Sequence, residues 1–166
     1  MKMIEQTGLG QEVKEKSINL AWHYTTGENF YKIVGTGLLL PSDINLDPGE
    51  SPVLWFSKNQ AWESTSRKMV RQGKGSFRIL SKRETARVGR GLVRFGYRSD
   101  DLLDWTVLPK LAGMHSARVR ALEVVGRNQG ANPSDWMGRL TPLDVRDLVI
   151  DVMDKKQGWT RVQTPR

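Results

Sequence analysis

Between Ile18 and Gly37 the hydrophobic period of the chain changes once, and that change requires a strand that hands over directly to a helix. Ile18, Leu20 and Trp22 alternate with Asn19, Ala21 and His23, the spacing of a strand with two dissimilar faces. By that spacing His23 points away from Trp22. From Gly27 to about Thr36 the apolar residues Phe30, Ile33 and Val34 recur at three and four, with Thr26 at an N-cap position and Gly37 at a C-terminal stop. His23, one of only two histidines in the chain, therefore stands at the seam, followed by Tyr24, Thr25 and Thr26. An imidazole, a phenol, two hydroxyls and backbone N–H groups converge there.

The rest of the chain repeats short strands and helices. The Pro48-Gly49 turn leads into an apolar strand over 52–57, and Ser57 or Asn59 is placed to cap a second helix over about 60–72 carrying Trp62, Glu63, Ser66 and Met69. Strands are expected at "SFRIL" and "GLVRFGY", and a long helix over 110–126 carries Leu111, Met114, Ala117, Ala121, Leu122 and Val125, ended by Gly126 or Gly130. "ANPSDWMGRLTP" reads as a loop, and "VRDLVIDVMD" with "GWTRVQT" reads as a closing hairpin. This order predicts a single α+β domain over 18–166, with mainly antiparallel strands and helices on the sheet faces, preceded by a flexible arm over 1–17. A length of 166 residues suits one core better than two.

Composition narrows the chemistry. The chain has no cysteine, which excludes disulfides and thiolate metal sites, and with only His23 and His115 as imidazole ligands no metal cofactor is expected. Its N-terminus lacks the apolar core of a signal peptide, and no run of about 18 apolar residues suggests a spanning helix, so a soluble cytoplasmic protein without a membrane partner is expected. The net charge of +8 favours a polyanionic partner. From Arg67 to Arg98 eleven basic residues face one acidic residue, Glu84, and Arg67, Lys68, Arg71, Lys74 and Arg78 are the candidates for guiding a nucleic acid or another anionic acceptor.

Each candidate residue also has an ordinary explanation. Trp55, Phe56 and Trp62 suit a core, Ser57 suits a cap, and Glu63 suits the first turn of a helix, where the dipole favours a carboxylate. Arg94, in a strand, is either a surface residue or a bidentate grip for a pyrophosphate.

Taken together, His23-Tyr24-Thr25, the run from Ile33 to Gly37-Leu38, and the strand end Leu54-Trp55-Phe56-Ser57 resemble the opening of the ADP-ribosyltransferase superfamily. The branch concerned bears a histidine and includes poly(ADP-ribose) polymerases, diphtheria-type toxins, DNA-targeting ADP-ribosyltransferase toxins and RNA 2'-phosphotransferases. The resemblance covers residues 20–66. It implies split antiparallel sheets with flanking helices, and NAD as the substrate whose nicotinamide glycosidic bond is cleaved. It assigns His23 to a ribose hydroxyl, the main chain around Tyr24 to the nicotinamide carboxamide and Thr25 to the nicotinamide-side ribose, with Thr26 beside them. Ser57 is assigned to the small residue near the nicotinamide, and Trp55 or Phe56 to a wall.

The sequence departs from that pattern at the carboxylate. The closing strands carry Asp144, Asp147, Asp151 and Asp154 but no glutamate, which leaves Glu63, Glu123 or a late aspartate to stabilise the positive charge on the ribose. Glu63 is favoured, being six residues from Ser57. Tyr24 stands where many members have glycine. Two other functions remain open: a non-catalytic basic module of phage or mobile-element type that blocks a host factor or nucleic acid, and an enzyme like the RNA 2'-phosphotransferases.

Overall fold

The computed structural model describes residues 19–163; the expected arm over 1–17 lies outside them. The chain is an α+β domain built on a seven-stranded antiparallel sheet. Strand β1 (Leu20–Thr26) runs into helix α1 (Gly27–Thr36), which stops at Gly37 in the left-handed conformation, as the change of period requires. Thr26 occupies the N-cap position, but its hydroxyl makes no capping bond and is buried without a partner. Glycine backbone from elsewhere takes over part of that work, because the Gly27 and Glu28 N–H groups donate to the Gly91 and Gly89 carbonyls.

After β2 (Leu38–Leu39) and β3 (Leu54–Ser57), the second helix expected over 60–72 is replaced by a turn, a short 3-10 helix at Ser64–Ser66, and strand β4 (Met69–Gln72), which forms a hairpin with β5 (Ser76–Ile79). Side-chain oxygens decide this local outcome. Ser57 Oγ accepts from the Asn59 N–H, and Asn59 Oδ1 accepts from the Ala61 and Trp62 N–H groups, which closes turns where a helix would have begun. Helix α2 (Lys82–Val88) follows, opened by a reciprocal capping box between Ser81 and Glu84 that sequence reasoning passed over.

Strand β6 (Leu92–Arg98) is central and pairs with β1 on one side and with β10 (Val149–Asp154) on the other. The expected closing hairpin is β10 with β11 (Gly158–Arg161). The helix expected over 110–126 is two helices, α3 (Leu108–Leu111) and α4 (Ser116–Asn128). They separate at Gly113, whose φ of 75° lies in the left-handed region. The segment read as a loop contains β8 (Trp136–Arg139), which joins β3 to the edge strand β7 (Leu103–Asp104), while β9 (Leu143–Asp144) pairs with β2. The sheet order is β11-β10-β6-β1-β3-β8-β7.

Register separates the two faces of the sheet. Ala21, Phe56, Val93, Phe95 and Ile150 lie on one face and pack under Phe30 and Ile33 of α1. On the other face Trp136 and Trp105 join Leu108 and Ala112, with Val119 and Leu122 of α4 packed against them. Each fully buried large aliphatic or aromatic side chain stabilises the fold by roughly 1.5–3 kcal/mol. Among the described residues no helix is long and apolar enough to cross a membrane.

Candidate functional site

Strands β1 and β3 pair at one position, Trp22 with Ser57, and then part. His23 spans the opening: its Nδ1 lies 2.8 Å from the Trp55 carbonyl oxygen. A carbonyl can only accept, so Nδ1 carries the proton and Nε2 is left as the acceptor of a neutral ring. Burial lowers the His23 pKa from its ordinary 6.5, outweighing the Trp55 hydrogen bond, which raises it, so the neutral form is favoured further. The ring meets Phe56 edge-on at 6.0 Å between centroids.

A cavity of about 340 Å³ lies where the strands part. Trp22, His23 and Tyr24 come from β1, Trp55 and Phe56 from β3, and Trp136 from β8, while Leu122, Val125, Gly126 and Gln129 form the side contributed by α4. The remaining wall is Glu63, Thr65 and Ser66. Gly126 permits this arrangement, because a Cβ there would stand 2.4 Å from the Trp136 ring. Among the described residues Glu63 is the only carboxylate of the lining, and no lysine or arginine contributes to it.

Glu63 is 7% exposed, and its recorded hydrogen bonds all fall on one oxygen. Oε1 accepts from Thr65 N–H at 3.3 Å, Thr65 Oγ1 at 2.8 Å and Trp136 Nε1 at 3.3 Å. Among the described residues Oε2 has no such partner, and no cation pairs with the carboxylate. Among the described residues the carboxylate is therefore met by neutral donors alone, at the wall of the cavity.

The segment that carries Glu63 is tied down by the neighbouring strands. Tyr24 Oη donates to the Asn59 carbonyl, Trp22 Nε1 donates to Gln60 Oε1 at 2.7 Å, Arg94 Nη1 donates to the Gln60 carbonyl at 2.5 Å, and Trp159 Nε1 donates to the Ala61 carbonyl at 2.8 Å. Burial raises the Tyr24 pKa, which keeps the phenol a donor. Arg94 is thus engaged within the protein. Its Nε and Nη2 donate to Asp151 Oδ2 at 3.0 and 2.8 Å, and its guanidinium lies 3.7 Å from the Trp22 ring centre and 4.6 Å from that of Trp159. It is not part of the cavity lining.

The structure therefore brings His23, Tyr24, Trp55 and Glu63 together. Thr25, Thr26 and Ser57 are buried outside the lining, with Thr25 Oγ1 accepting from Asn29 and Ser57 Oγ accepting from Asn59. The other carboxylate candidates lie elsewhere: Glu123 accepts from Trp105 Nε1 at 2.7 Å, and Asp151 is held between Arg94 and Arg161. Sequence reasoning missed Trp136 and the α4 contribution. The reason is local, since β8 is four residues long and follows a proline-containing turn.

The five guiding candidates divide. Arg67 donates to the Ser64 and Gln129 carbonyls, Lys68 pairs with Glu28 at 3.2 Å, and Arg78 pairs with Glu84 at 3.0 Å. The backbone and side-chain bonds of Ser81, with Arg78 between them in strength, draw the Glu84 pKa down to about 2. Arg71 and Lys74 are exposed and have no ion pair among the described residues. No protein-family model, curated protein or solved structure matches the chain.

Proposed function

We propose that the chain is an NAD-dependent ADP-ribosyltransferase that cleaves the nicotinamide glycosidic bond and transfers ADP-ribose to a macromolecular acceptor. One observation carries the reading: His23 and Glu63, forty residues apart in sequence, line one aromatic cavity at the parting of β1 and β3. The nicotinamide ring of NAD is planar and cationic, which suits walls of tryptophan beside an unpaired carboxylate. Its carboxamide needs donors and acceptors, which main-chain groups along the parted strands would supply.

The work of each residue follows from its chemistry. His23, neutral with Nε2 as acceptor, is suited to orient a ribose hydroxyl. Breaking the glycosidic bond sends its electron pair to the nicotinamide nitrogen and leaves positive charge on the ribose. Glu63 answers that charge with a carboxylate held in place before the reaction, so little reorganisation is needed. The acceptor nucleophile then bonds to the ribose carbon, and its proton passes to Glu63 or water. The lack of lysine and arginine in the lining, among the described residues, counts against phosphotransfer within the cavity.

The test is incubation with NAD labelled in the adenylate half, together with DNA, RNA or cell lysate, reading nicotinamide release and label transfer. Release that depends on Glu63 supports the proposal. No release under any condition, with no thermal stabilisation by NAD, overturns it.

A further inference from the structure

The β4–β5 hairpin begins three residues beyond the cavity wall, since Ser66 lines the cavity and β4 starts at Met69. Pairing of Met69 with Ile79 and of Arg71 with Phe77 puts these four side chains on one face. That face is uncovered: Phe77 is 63% exposed and Met69 60%. Lys74 stands in the turn between Gly73 and Gly75. A flat aromatic ring and two aliphatic side chains thus lie beside two cations that have no ion pair among the described residues, on a protein whose net charge is +8.

We infer that this face docks single-stranded nucleic acid, with Phe77 stacking on a base while Arg71 and Lys74 meet the adjoining phosphates. Charge complementarity selects the partner. A second copy would bring the same cations against themselves, whereas a polyanion releases counterions on binding. The exposed ring selects a single strand, because a duplex buries its base faces and a single strand presents them. Three apolar side chains make a narrow ledge for bases rather than the broad apolar face by which a peripheral element enters a lipid surface. The inference stands apart from the chemistry of the cavity and does not require NAD.

The experiment is fluorescence polarisation with labelled 12-mers of deoxythymidine and of uridine, against a duplex of the same length, between about 50 and 200 mM salt. Tighter binding of a single strand than of the duplex is expected, and the two sugars report whether the 2'-hydroxyl matters. Phe77→Ala is expected to weaken binding roughly tenfold while Phe77→Tyr retains it, since either phenyl ring can stack. The double variant Arg71→Ala/Lys74→Ala is expected to reduce the slope of log affinity against log salt by about 1.4. These side chains lie outside both cores, so an unchanged unfolding midpoint checks that the variants fold. Absence of binding at the lowest salt overturns the inference, as does wild-type affinity in Phe77→Ala and the double variant. Phe77-dependent sedimentation with phosphatidylserine vesicles that the oligonucleotide does not compete also overturns it. Glu63→Gln is expected to bind the 12-mers as wild type does, so a failure of the transferase reading leaves this result distinct.

Discussion

Two buried carboxylates have opposite surroundings. Asp151 accepts from Arg94 and from Arg161, whose Nε lies 2.6 Å away, so its charge is answered on both oxygens. Glu63 accepts neutral donors on one oxygen only and borders a cavity. Burial is nearly equal, 3% exposure for Asp151 and 7% for Glu63. What separates a structural tie from a carboxylate left beside a cavity is therefore the pairing of the charge, and burial alone does not distinguish them.

The comparison breaks most readily at Asp151. Asp151→Ala leaves the Arg94 guanidinium buried and unpaired, and is expected to cost about 3–5 kcal/mol in chemical denaturation. A loss below about 1 kcal/mol would remove Asp151 from the structural side. Glu63→Gln sharpens the other side: turnover is expected to fall at least a hundredfold, on the order of 2.7 kcal/mol in the barrier, while stability changes by less than about 1 kcal/mol. Gln retains an acceptor oxygen for Trp136 and Thr65. If nicotinamide release persists in this variant, Glu63 is not the reacting carboxylate.

Gly126→Ala tests whether the cavity itself matters. Its methyl group meets Trp136, so an overpacking cost of about 1–3 kcal/mol is expected, together with weaker stabilisation by NAD in a thermal titration. The smallest effect concerns His23. Its folded-state pKa is lowered, so the unfolded chain binds more protons and stability rises with pH. The contribution is complete above the ordinary 6.5 and declines as pH falls from there toward the lowered value. His23→Gln is expected to flatten that part of the stability profile between pH 7 and 5, measured against wild type by denaturation at each pH.

The sequence-based reading succeeded where local pattern and tertiary position agree. The alternation around Trp22 and the three-and-four spacing after Gly27 give β1 and α1, and the placement of Glu63 soon after β3 brings it to the cavity near His23. It failed where one polar side chain outweighed a periodic pattern. Asn59 closes a turn with two N–H groups and prevents the expected helix over 60–72. Arg94 was legible as a guanidinium on a strand, but its partner depends on the pairing that sets Arg94 opposite Asp151, fifty-seven residues later. A distance of that kind is a property of topology and leaves no short-range signal.

The parting of β1 and β3 also makes an edge inside the sheet. Beyond Trp22 the ladder between these strands ends, and the His23 ring instead meets the Trp55 carbonyl across the gap. At the rim of a protein such an edge invites another chain to add itself. Here residues of α4 wall the gap, so an edge that elsewhere invites a second chain borders a cavity of the protein's own.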